Sequence, residues 1–158
     1  MKCQHHLKGF SLLLLLTFFS SALFAQDCKH QALIDKMDKA MMEKNADRMA
    51  EFYHKDAVRH TQEGVVEGLE KIKAQTAEFY ENIPDAEGKN LDIICQGDYA
   101  VVRWEGKGTP KGAPQMVTVT GISIYKIKDG KIAEEWEEMN SLSLMMQMGY
   151  ELKEPAKE

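Results

Sequence analysis

Residues 117–139, VTVTGISIYKIKDGKIAEEWEEM, decide the fold. Val117 to Lys128 reads as one long strand rich in Val, Thr and Ile, with Gly121 marking a bend or bulge. Asp129-Gly130 is the strongest hairpin signal in the chain, because a two-residue turn needs residues that tolerate positive φ. Lys131 to Met139 must then return antiparallel. Upstream, Gly97-Asp98 turns the chain into a second strand, Tyr99 to Gly108. Leu91, Ile93 and Cys95 before it alternate with Asp92, Ile94 and Gln96, again at strand period. Thr109 to Pro114 is a loop with two prolines and Gly112. Downstream, Ser141 to Met148 reads as a short helix stopped by Gly149, followed by a frayed tail after Leu152.

The first half has a helical period. Leu33, Ile34, Met37 and Met41 form one stripe within Lys29 to Lys44. Asn45 is placed to cap a shorter helix carrying Met49, Phe52 and Tyr53, and a short strand is expected over Ala57 to His60. The clearest helix is Leu69 to Asn82, with Leu69, Ile72, Thr76, Phe79 and Ile83 on one side and Pro84 ending it. Helices first and antiparallel strands afterwards predict an α+β domain. Its expected shape is a cone, a curved antiparallel sheet covered by the N-terminal helices with a small-ligand cavity at its mouth.

The chain has 158 residues, enough for one domain. At 44% hydrophobic and 28% charged it is neither a disordered tail nor a membrane channel. A net charge of −5 argues against nucleic acid as partner and disfavours acidic ligands. Residues 1–25 read as a secretory signal peptide. Lys2 and Lys8 form the charged start, Leu12 to Phe19 the apolar run, and Ala25 stands before polar Gln26 and Asp27. The run is shorter than the ~20 residues that span a bilayer, so no stable membrane anchor is expected after cleavage. The expected organisation is a signal peptide at 1–25, the domain at 26–152 and a tail at 153–158, in an exported, periplasmic or secreted protein. Cys28 and Cys95 remain after cleavage. Either they pair in an oxidising compartment or Cys95 is a small buried strand residue. His30, His54 and His60 show no metal-ligand spacing, and no glycine loop cradles a phosphate, so neither metal nor cofactor is expected.

The stretches EKNADRMAEFYHKDAVRH (43–60), GDYAVVRWEGKGT (97–109), GISIYKIKDGKIAEEWEEMN (121–140) and MMQMGY (145–150) together resemble the SnoaL-like polyketide cyclase family of the nuclear transport factor 2-like superfamily. The resemblance spans the whole domain and implies the same cone fold. Superfamily members include cyclases, isomerases, dehydratases, hydrolases and non-enzymatic binding proteins, so it leaves the activity open. It implies either a cofactor-independent acid-base enzyme on a small, mostly apolar substrate or a non-catalytic carrier or dimeric interaction module.

Strand alternation alone would bury Ile132 and Trp136 and leave Glu135 and Glu137 in water. The resemblance implies the reverse, since Glu137 falls, counting back from Gln147 and Gly149, where the family places an acid-base aspartate. Glu135 then shares the cavity face, while Ile132 and Trp136 emerge on the outer sheet face and favour a homodimer. Arg103 and Glu105 resemble the arginine and acid of related hydrolases, with a plain cross-strand ion pair as the alternative. His60 is expected at the pocket mouth beside Glu137 and Arg103 as a catalytic residue, or else on the surface. His54 is expected at a helix end. Tyr53 and Tyr80 offer phenols to a ligand, or pack in the core. If export is right, intact-mass analysis of the protein recovered from a periplasmic or secreted fraction will show a chain beginning at Gln26, or at Leu23 where the cut falls after Ala22. Retention of Met1 in that fraction overturns it.

Overall fold

The computed structural model describes residues 28–154; the expected signal peptide with its cleavage point, and the last four residues, lie outside that range. At the hairpin, Asp129 and Gly130 both adopt positive φ, 49° and 74°, and pair β5 (Val117–Lys128) with β6 (Lys131–Met139). β4 (Tyr99–Gly108) and β3 (Glu87–Gln96) extend the sheet on one side. On the other side lie β1 (Tyr53–Thr61), parallel to β6, and β2 (Gly64–Glu67). The order is β2-β1-β6-β5-β4-β3, a curved sheet that does not close. The helices are α1 (Gln31–Met42), α2 (Ala46–Ala50), α3 (Leu69–Asn82) and α4 (Ser141–Gln147). None is long and apolar enough to cross a membrane, among the described residues.

The strands of the central hairpin, β4 and α3 have the bounds that spacing predicts. Asn45 caps α2 as expected, its side chain accepting from the backbone N–H of Asp47 (2.9 Å) and Arg48 (3.2 Å). The first half departs in two places. β1 begins four residues earlier than Ala57, and it turns back through β2, which pattern alone does not reveal. Polar His54-Lys55-Asp56 hide the start of β1, and β2 is a four-residue edge strand with almost no buried side chain. His54 therefore lies on a strand, not at a helix end, with its Nε2 2.7 Å from the Lys128 carbonyl.

Strict alternation also fails on β6. Ile127 pairs with Ile132 and Lys126 with Glu134, so Ala133 is an extra residue in the ladder, a β-bulge. The bulge resets which way the chain faces. Ile132, expected outside beside Trp136, is instead fully buried (0% exposed), and Glu135 three residues on is buried on the same side. One face of the sheet thus carries Tyr53, Ala57, Ala100, Val102, Ile127 and Ile132, packed against Ile34 and Met37 of α1 and Ile72 of α3. Burying such side chains supplies ~1.5–3 kcal/mol each before the entropy of ordering them. α3 turns Ile72, Thr76 and Tyr80 inward and leaves Phe79 exposed, a shift from the expected stripe of about one residue.

The two cysteines are joined. Cys28, just ahead of α1, forms a disulfide with Cys95 of β3, Cα atoms 5.0 Å apart across 67 residues of sequence. Lys29 to Asp98 (2.9 Å) and His30 to the Gly97 carbonyl (3.1 Å) attach at the same corner. On a chain-entropy account a loop of this length stabilises by about 4 kcal/mol, and it fastens α1 over the β3 end of the concave face.

Candidate functional site

The concave face between the helices and β6 holds the most buried charged residue among those described. Glu135 is 3% exposed, and its Oε2 accepts from Arg59 Nε and from Tyr53 Oη, each at 2.8 Å. Arg59 Nη2 also donates to Tyr53 Oη at 2.8 Å, while Nη1 reaches Gln75 Oε1 (3.2 Å) and Thr76 Oγ1 (3.3 Å) on α3. No fully buried side-chain nitrogen or oxygen among the described residues lacks a hydrogen-bond partner, as burial demands. Burial opposes the Arg59 charge, but Tyr53 and Glu135 outweigh it and hold the guanidinium protonated more firmly than usual. Burial likewise pushes the Tyr53 phenol well above its ordinary range, so it serves as a neutral donor.

Glu137 stands two residues along β6 on the same face. Among the described residues no ion pair or hydrogen bond engages its carboxyl group. Its pKa is raised from 4.5 to about 7, by burial first and by Glu135 second, with Arg59 opposing both. Its cross-strand partner is Ser123, 1% exposed, which accepts from the Trp104 indole N–H at 2.9 Å. Tyr125, two residues from Ser123, has its phenol raised well above the ordinary value by burial. Glu137, Trp104 and Met139 are each half-buried, so this end of the concave face reaches solvent. The arrangement offers one carboxyl group that can gain or lose a proton near neutrality, beside a second whose charge is matched.

The structure therefore gathers Glu137, Glu135 and Tyr53 but does not bring Arg103, Glu105 or His60 to them. Arg103 Nε binds Asp92 Oδ2 (2.6 Å) and Glu105 Oε1 meets Lys89 (2.7 Å), both on the outer face as the cross-strand pairs foreseen as alternatives. His60 is also outside, stacked on Trp136 with ring centroids 5.3 Å apart and Nε2 3.1 Å from Glu134 Oε1. Tyr80 is buried in α3 and borders a surface groove with Lys44, Ala46 and Pro84, a groove that Glu137 does not line. Arg59 is the residue that sequence reasoning missed. Alternation from Ala57 points inward at 59 and outward at 60, so a correct count along β1 selects Arg59 over His60. No group of three or more His, Cys, Asp or Glu side chains suited to a metal occurs among the described residues.

The family model described as SnoaL-like polyketide cyclase matches residues 31–148. Among solved structures, AclR of Streptomyces galilaeus is 19% identical, with a TM-score of 0.68 over 76% of this chain and 95% of that one. A protein of ketosteroid isomerase-like fold from Catenulispora acidiphila, solved with trimethylamine, is 17% identical, with a TM-score of 0.71 over 75% and 93%. TsrD of Streptomyces laurentii is 23% identical, with a TM-score of 0.66 over 75% and 96%. At these identities the likeness is one of fold. No curated protein matches the sequence.

The raised Glu137 has a consequence for stability. Below pH 4.5 the folded and unfolded chains both hold the proton, and nothing is lost. As pH rises from 4.5 to about 7 the unfolded chain releases the proton while the folded chain keeps it, so stability falls across that window. Above it the folded chain carries a buried charge and the loss levels off. Glu137→Gln removes that penalty. The variant should match the parent near pH 4.5 and exceed it above pH 7, by at most about 3 kcal/mol, in chemical denaturation across that range. Equal stability at pH 8.5 would show that Glu137 is solvated.

Proposed function

The chain belongs to the SnoaL-like polyketide cyclase family, and from that premise we propose that it is a cofactor-independent acid-base enzyme acting on a small, mostly apolar molecule. The observation that carries this is the contrast between two neighbouring carboxyl groups on one face. Glu135 is matched by Arg59 and Tyr53; Glu137 is left free and pushed up to about 7. A proton-transfer group works best when its pKa lies near the working pH. Glu137 is assigned that role, and Arg59, Glu135 and Tyr53 set the electrostatic surroundings in which it titrates. The reaction class follows from a single proton-shuttling carboxyl group: cyclisation, isomerisation, dehydration or hydrolysis adjoining a carbonyl or hydroxyl. The trimethylamine held by the ketosteroid isomerase-like protein is consistent with a small organic ligand on this fold.

Export belongs to the same reading. The charged and apolar leader supports it, and so does the Cys28–Cys95 bond, a cross-link that persists in oxidising compartments. So does a homodimer. On the outer face, Val65, His60, Trp136, Ile124, Val101 and Ile94 are direct cross-strand neighbours in one row through all six strands. Val65 is 58% exposed and Ile94 65%, and an apolar row with that much free surface favours association about a twofold axis.

Two measurements test these assignments. On a panel of small carbonyl, epoxide and hydroxyl compounds, Glu137→Gln should lower turnover ~10²–10⁴-fold with ligand binding retained. Full activity in that variant removes Glu137 from the mechanism, and binding without any turnover in the parent makes the protein a carrier. Trp136→Glu should convert a dimer to a folded monomer in sedimentation analysis. A parent that sediments as a monomer overturns the dimer.

A further inference from the structure

Trp104 occupies a place built for it. Its Cα partner across the ladder is Gly121, and a Cβ at Gly121 would collide with the indole, one ring carbon (Cε2) lying only 2.7 Å from that position. At Gly106, next on the same face of β4, a Cβ would stand at ordinary contact distance from the ring, 3.7 Å from Cζ3, so the close fit is set by Gly121. The indole N–H is fixed by Ser123 at 2.9 Å, and Ser123 is itself 1% exposed. Gly121 has thus a reason other than the expected bend. It lets an aromatic ring settle onto the sheet where any other residue would lift it off. A tryptophan recruited only for the core would be covered, yet Trp104 is half-buried.

Through Ser123 and Gly121 the ring lies next to β6. Ser123 pairs directly with Glu137 and Gly121 with Met139, so the indole adjoins the stretch of β6 that carries the free carboxyl group and a flexible thioether. We infer that Trp104 is the specificity-determining surface of the site, on which a flat ring system of the substrate rests while its oxygen-bearing edge meets Glu137. The assignment builds on the proposed acid-base role of Glu137 and adds the shape of what that group acts upon. Offset stacking on an indole rewards flatness, whereas a puckered ring of equal size makes fewer contacts at stacking distance. Met139 can adjust to rings of different outline.

The test compares two probes with one carbon skeleton and one hydroxyl group, 2-naphthol, which is flat, and decahydro-2-naphthol, which is puckered. Binding of each to the full mature protein is measured by isothermal titration calorimetry. The parent should bind 2-naphthol about 2- to 10-fold more tightly, the margin expected from aromatic stacking. Trp104→Leu should abolish that preference, Trp104→Phe should keep most of it, and Glu137→Gln should leave it intact. Equal binding of the two probes by the parent overturns the proposal whether or not any variant folds, and so does a preference that survives Trp104→Leu. If Glu137→Gln keeps both the preference and full turnover, the acid-base role fails while the stacking surface stands.

Discussion

The buried contact between Arg59 and Glu135 constrains everything around it. Taking both charges out of water costs several kcal/mol each, and their attraction offsets that cost only with good geometry and additional hydrogen bonds. The structure supplies both: two bonds at 2.8 Å on one carboxylate oxygen, a phenol shared by the two ions, and two polar side chains of α3 closing the guanidinium. The pair therefore ties β1 to β6 and to α3, across the seam where the sheet changes from antiparallel to parallel pairing. A core of aliphatic residues would hold those elements with less expense. The charge pair is costly to keep, which makes its position beside Glu137 informative.

That position sets the titration of Glu137. An unpaired carboxyl group among apolar neighbours is raised by burial, and a second carboxylate two residues away raises it further. Arg59 works in the opposite sense, but its donors are committed to Glu135, Tyr53, Gln75 and Thr76. The outcome is a group poised near neutrality, between the low value of an arginine-bound acid and the high value of one isolated in hydrocarbon. Tyr53 takes part without titrating, since its proton is held far above the physiological range.

Much of the fold is legible in the sequence, because the features that define it are local. A DG turn, a strand period of two and a helix stopped by Pro84 each act within a few residues, and β4, β5, β6 and α3 follow from them. The candidate site is only half legible, because one extra residue changes the facing of all that follow. The bulge at Ala133 moves Ile132 into the core and keeps Glu135 and Glu137 with it. Simple alternation, blind to the bulge, must choose between burying Ile132 and burying Glu135, whereas the chain buries both. The same one-residue sensitivity on β1 separates Arg59, inside, from His60, outside. Arg103 misleads for a different reason. Its strand is correctly placed, but Ala100, Val102 and Trp104 take the inner face and leave it to pair with Asp92.

The two faces of the sheet also place the two tryptophans of one small domain in different settings. Trp136 stands on the convex side, stacked on His60 within an apolar row, where flatness and area favour contact with another surface. Trp104 lies on the concave side over Gly121, with its N–H committed to Ser123. A polar handle that is satisfied internally leaves an indole free to present only its apolar body. The same strand positions that bring Ser123 to Trp104 bring it to Glu137, so one hydrogen bond locates an apolar surface near a carboxyl group whose pKa is raised to about 7. The parity of the strands thus keeps the apolar row with Trp136 on one face and Glu137 with Trp104 on the other, and the bulge at Ala133 determines which residues of β6 fall on each side.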